Sequence, residues 1–199
     1  MSADEPPAAP GPTPPPTPLD RLGELAARVD AFFARVAARH GADLRCAAGC
    51  DGCCRTRLTV TTVEADAVRG HVATLEAPAR ARLAEVAARP VDAAAPRCAA
   101  LDDDGRCLVY AARPLVCRSH GVPIRLRGGD GLPVVQACEL NFTARGPAAA
   151  DADCVLDQQT LSATLLAIDQ LHAAATATPA GARHDLGEVL RAACRAAQP

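Results

Sequence analysis

Tryptophan and lysine are both missing from this chain of 199 residues, and aromatic side chains make up only 2% of it: Phe32, Phe33, Tyr110 and Phe142. Aromatic rings normally supply much of the buried area of a core. Their scarcity excludes a conventional aromatic-rich interior, and the 49% of apolar residues is inflated by alanine. All 21 cationic residues are arginine, which with the alanine and proline excess reads as a GC-rich coding bias. Individual surface arginines therefore carry little weight. A net charge of −2 gives no basic surface for nucleic acid or for an acidic membrane. No stretch approaches the ~20 apolar residues of a membrane span, and no basic segment followed by an apolar one marks a secretory signal at the start. Neither a G-x-G-x-x-G fingerprint nor a phosphate-binding loop occurs, and no serine or carboxylate constellation suggests a hydrolase. The expected setting is the cytoplasm, with no membrane and no nucleic-acid partner.

Cysteine is what the chain has in excess, ten in all. Four fall within nine residues, Cys46-Ala-Ala-Gly-Cys50-Asp-Gly-Cys53-Cys54, with Gly49 and Gly52 between them. Glycine gives such a run the backbone freedom to fold back and point several sulfurs at one centre. A second block is Cys98, Cys107, Cys117 and Cys138, in segments without helical periodicity. In a reducing compartment, clustered thiols are more often metal ligands than disulfides. A zinc–thiolate bond of about 2.3 Å requires four sulfurs on one small shell, which loops achieve more readily than strands. The adjacent pair Cys53-Cys54 suits two neighbouring centres or one polynuclear cluster. Cys154, just ahead of a helix, and Cys194, on an apolar helix face, read as core residues.

The chain around these blocks reads as α+β, predominantly helical with a small β-hairpin and a cysteine-rich loop core stabilised by metal. Residues 1–18 carry eight prolines and are expected to form a disordered tail. Residues 19–199 are expected to be one cysteine-cluster domain, with the ligand core at 46–142 and C-terminal helices at 157–196. A helix is predicted over 19–40, closed by Gly41, then a short strand near 57–60. Thr61 and Glu64 form a capping-box pattern opening a helix to about Gly70, and another helix follows over 77–89. Val122–Arg127 and Leu132–Ala137 flank Gly128–Gly131 as a hairpin. Asp157 caps a helix to about Ala177, with Leu161, Leu165, Ile168, Leu171 and Ala175 on its inner face. The last helix covers about 182–196.

Several segments together resemble a known family. Cys46–Arg55 followed by Thr59-Val-Thr-Thr-Val-Glu64-Ala65 is similar to the signature of the YkgJ-type cysteine-cluster proteins of bacteria. So are Gly105-Arg-Cys107-Leu-Val-Tyr110 and Arg113-Pro-Leu-Val-Cys117-Arg118-Ser-His120. Cys138-Glu-Leu-Asn-Phe142 matches a pattern found in part of that family. The Cys46-x3-Cys50 spacing is one residue longer than the family's minimal form. The resemblance implies chelation of zinc or iron, as a mononuclear, polynuclear or iron–sulfur centre, without implying a substrate. Arg113 and Arg118, beside Cys117, are placed to offset the negative charge of clustered thiolates and to donate hydrogen bonds behind the ligands. His120 is a further candidate ligand or proton carrier. His40, His71, His172 and His184 lack cysteine company in the sequence and are assigned to packing or solvent, and Tyr110 to packing on the ligand loop. Three functions follow: a metal-binding protein, an iron-dependent redox enzyme with an open position near His120, and a redox-sensing or disulfide-bonded module.

Overall fold

The computed structural model describes residues 14–197, so most of the predicted proline-rich tail lies outside the described residues. The first helix, α1 (Pro18–His40), starts where Thr17 and Asp20 form a reciprocal capping box, with Pro18 in its first turn. Leu22, Leu25, Val29 and Val36 recur at helical spacing and are buried. Gly41 does not end α1 in a left-handed cap. It stays right-handed, and the chain tightens into a 3-10 turn over Gly41–Asp43.

Beyond the first cysteine loop comes β1 (Thr59–Thr61), then α2 (Thr62–Thr74) and α3 (Ala77–Ala87). The Thr61/Glu64 capping box is present, but α2 runs past Gly70, which meets no obstacle there. Strand β1 pairs antiparallel with β5 (Arg183–Asp185), which leads into α6 (Leu186–Ala196). The predicted final helix therefore gives up its first residues to a strand, because Asp185 caps α6 by accepting from Glu188 N. The hairpin is formed by β2 (Ile124–Arg127) and β3 (Pro133–Gln136). Its third strand, β4 (Leu156–Asp157), lies parallel to β2 and precedes α5 (Gln158–Thr176), capped by Asp157 as expected. Within the stretch expected to be non-helical, Leu115–Ser119 forms a short helix, α4. The result is α+β and predominantly helical. No helix is long and apolar enough to cross a membrane, among the described residues.

Three apolar clusters hold these elements. One joins α2, α3, α6 and β1, with Cys98 and Cys107 packed on its edge. The second joins α1, α5 and Leu115 of α4; the third gathers Val36, Val122, Phe142 and Cys154. On α5 the buried face differs from the predicted one. Leu171 is 54% exposed, whereas Asp169 and His172 are buried. Asp169 Oδ1 accepts from Val63 N at 3.0 Å, satisfying a first-turn amide of α2, and His172 Nε2 meets Asp66 Oδ2 at 2.7 Å. Polar contacts to α2, invisible to an apolar periodicity, thus set the rotation of α5. Truncating Leu161 to Ala should cost about 2–5 kcal/mol in urea unfolding, whereas Leu171→Ala should stay within about 0.5 kcal/mol. Equal costs would contradict this rotation.

Candidate metal centre

Cysteines 46–54 sit on two successive tight turns. Cys50 N donates to Ala47 O (3.0 Å) across Gly49, whose φ is +88°, and Cys54 N donates to Asp51 O (2.8 Å). Arg55 closes the second turn through a 2.7 Å ion pair to Asp51. The second block begins on the first one: Cys98 N donates to Cys54 O at 2.8 Å. From there Leu101 and Cys107 pair across an irregular hairpin whose tip is the Asp102–Gly105 turn. Asp102 Oδ1 accepts from the amides of Asp104 and Arg106 within that turn. It is turn chemistry, as expected of that sequence. The two loops touch backbone to backbone, since a Cβ on Gly105 (φ +71°) would lie 3.1 Å from Gly49 O. Only glycine allows that approach in that conformation.

Cys117 stands on α4, and α4 is held by a residue placed far away in the sequence. Glu64 is buried; its Oε2 accepts from Thr61 N and Oγ1, and its Oε1 accepts from Leu115 N at 3.0 Å. Cys138 and Cys46 meet through Asn141, also buried. Asn141 Oδ1 accepts from Arg45 N, while its Nδ2 donates to Gly121 O (2.7 Å) and to Cys46 Sγ (3.3 Å). Cys46 is exposed as a residue, yet its sulfur faces inward: a Cβ on Gly121 would lie 2.6 Å from it.

Electrostatics couple several of these sulfurs. Burial pushes Cys117 up to about 12, and the charges of Cys98, Cys107 and Cys53 add to the shift. Burial likewise raises Cys98 and Cys107, each also raised by Cys53. The neighbouring Cys54 thiol brings Cys53 down to about 6 against the effect of burial, with the charge of His120 assisting. Sharing with Cys53, together with burial, pushes Cys54 up. Cys46 is raised by burial and then by Cys50, Cys138 and Cys53, while its bond from Asn141 opposes. The charge of Cys53 thus acts on Cys98, Cys107 and Cys117 and also on Cys46.

Among the described residues, no three of these eight sulfurs lie within 4.8 Å of one another; the set that meets that distance is His40, Asp151 and Cys154. The donor set nevertheless fits a thiophilic cation. Partly buried thiols that repel one another's ionised forms are what a divalent ion would stabilise as thiolates, and glycines at 105 and 121 let the loops approach closely. His120, exposed at the end of α4, faces Cys53 closely enough for its charge to act there. Arg113 and Arg118 make their hydrogen bonds elsewhere. Both reach Asp30 of α1, Arg113 at 3.2 Å, and Arg118 also binds the carbonyl oxygens of Arg113 and Ala111. The charge of Arg113 still lowers Cys107. Tyr110 is 62% exposed, with the Arg113 guanidinium 4.1 Å over its ring.

Sequence reasoning named Glu64 only as a helix cap and Asn141 only as part of a pattern. The signal for both was their adjacency to the cysteine blocks. For His40 and Cys154 there was none, because they lie 114 positions apart in the chain.

Residues 45–129 match the family model CxxCxxCC, described as "Putative zinc- or iron-chelating domain". That segment, under half of the chain, is similar to the family's domain. No curated protein and no solved structure matches it. Cys138, Asn141, Cys154 and everything C-terminal to them lie beyond the matched segment.

Two substitutions test the scaffold. Glu64→Ala leaves three donors unsatisfied in a buried site and should cost about 2–4 kcal/mol in thermal or urea unfolding. Gly121→Ala puts a methyl group against Cys46 Sγ at a φ of +100° and should cost more than about 1 kcal/mol. Wild-type stability in both would contradict the packing described.

Proposed function

We propose that the chain chelates zinc or iron through its two cysteine blocks, with Cys46, Cys50, Cys53, Cys54, Cys98, Cys107, Cys117 and Cys138 as the ligand set. The observation that carries the reading is the backbone join of Cys54 to Cys98, which sets the two blocks side by side. The adjacent pair Cys53-Cys54 favours two adjacent centres, or one polynuclear cluster, an iron–sulfur cluster included. The metal would supply a positive charge that keeps the thiols ionised and a coordinate link between loops. Arg113, whose charge already reaches Cys107, offsets the −2 of a zinc ion held by four thiolates.

Binding of this kind contributes ~10–16 kcal/mol in zinc-finger peptides, against a net stability of ~5–15 kcal/mol for a whole domain. In a chain so poor in aromatic residues, metal and fold are coupled. We take residues 19–199 as one domain and place it in the cytoplasm, where thiols stay reduced. A second reading is an iron-dependent redox enzyme, favoured by His120, which is exposed and faces Cys53 beside an accessible position of the same cluster.

Anaerobic purification with elemental analysis and a visible spectrum decides among these. At least one zinc or iron per chain is expected, lost in Cys53→Ser and in Cys117→Ser, with a fall in melting temperature on chelation. Thiolate-to-iron absorption that changes on exposure to small oxidants would favour the redox reading; colourless protein with zinc would favour the scaffold or carrier. Metal content undiminished from the wild type in both serine variants would overturn the assignment.

A further inference from the structure

His40 closes α1, and the carbonyl end of a helix favours a positive charge. Facing it is the turn 151–154, which leaves β2's neighbourhood and leads into β4. His40 Nε2 lies 3.5 Å from Asp151 Oδ2 and accepts a long 3.3 Å contact from Asp151 N. The Cys154 sulfur completes the set: one donor atom from each of the three residues lies within 4.8 Å of the other two. Nitrogen and carboxylate ligands bind zinc at about 2.0–2.2 Å and thiolate at about 2.3 Å, so ligands on one tetrahedral ion stand about 3.3–3.8 Å apart. The three atoms, within 4.8 Å of one another, need close by no more than about 1.5 Å.

The surroundings are those of a built site. Cys154 is fully buried and His40 is 6% exposed, with the Phe142 ring 5.6 Å from the imidazole. Phe142 holds a left-handed backbone (φ 54°) and is bonded from its amide to Asp43 O, so this wall is fixed from the α1 side. The Asp151 side chain is 54% exposed, which leaves a route for an ion from solvent. The nearby guanidinium groups belong to the same network: Arg39 is 2.7 Å from Asp153 and 3.4 Å from Asp151 Oδ2, and Arg145, bonded to Asp43, also lies 3.3 Å from His40 Nδ1. Arg35 Nε binds Asp153 O and ties the turn to α1.

We infer that His40, Asp151 and Cys154 form a second metal site, separate from the cysteine cluster, for a borderline divalent cation such as Zn²⁺. Binding displaces the Cys154 proton to solvent and gives three protein ligands of three chemical types, with the fourth position turned toward the exposed side at Asp151. A single thiolate, an imidazole and a carboxylate suit zinc or cobalt better than calcium or magnesium, which prefer oxygen donors alone. The site does not depend on the cluster, because all three residues lie outside residues 45–129 and none is among the eight cysteines.

Co²⁺ is the probe, titrated anaerobically into the reduced full-length chain and into H40Q, C154A and D151A, with bound metal counted and the thiolate-to-cobalt absorption recorded. Each variant is expected to bind one equivalent fewer than the wild type and to lose a weak single-thiolate band. The intense multi-thiolate bands of the cluster should persist. Asp151 is exposed, so D151A is the variant least able to fail by misfolding, and circular dichroism checks the other two. If D151A keeps the extra equivalent, the site is a packing contact and the inference fails, whatever the buried variants do. A C53S/C117S double variant separates the two centres. Retention there of one equivalent that C154A then removes supports the second site even if the cluster assignment fails. Loss of all metal from the double variant, with the fold intact, overturns it.

Discussion

A carboxyl group buried in the first turn of α2 holds the cysteine region in register. Glu64 takes donors from its own cap residue, Thr61, and from Leu115, the first residue of α4. Through it the strand leaving the first cysteine loop and the helix bearing Cys117 share one fixed point. Satisfying donors from two segments makes such a group a strong specifier of position, since either segment moving would leave a buried polar atom without a partner. The remaining ties are of the same kind. Cys98 is tied to Cys54 by a single hydrogen bond from its amide to the Cys54 carbonyl, and Asn141 joins Arg45, Cys46 and Gly121. Small polar contacts, rather than an aromatic core, position the sulfurs.

That economy explains what the sequence disclosed. The helices were legible because Leu22, Leu25, Val29 and Val36, or Leu186, Val189 and Leu190, recur at helical spacing and are buried for it. The caps at Thr61, Asp157 and the hairpin around Gly128–Gly131 follow from local chemistry. The two cysteine blocks were legible because glycine-punctuated thiols have few other uses, and their adjacency is seen in the bond between Cys54 and Cys98. What stayed hidden was long-range and polar. Nothing local shows that Asp169 reaches the amide of Val63, and for that reason the predicted face of α5 holds at Leu161, Leu165 and Ile168 but not at Leu171 and Ala175. Nor could the pairing of β1 with β5 be seen, since each is three residues long and they lie more than a hundred positions apart.

The arginines illustrate a related limit. Arg113 and Arg118 were singled out for standing beside Cys117, and both turn toward Asp30, joining α1 to the segment that carries α4. The hydrogen bonds of both serve the packing of helices. Only the charge of Arg113 acts on a sulfur, lowering Cys107 through space without a direct bond.

The pairing of β1 with β5 has one more implication. Each strand is three residues long and runs straight into a capped helix, α2 or α6, so two similar strand–helix units lie side by side. Val60, Val68 and Val72 of one are covered by Leu186, Val189 and Leu190 of the other, and Cys98 and Cys107 rest on the same cluster. The segment 45–129 is therefore only half of its own foundation. Cut out alone, it would bare the valines beneath its ligand loops, and the distant tail-end helix is as much a part of the cysteine module as the thiols themselves.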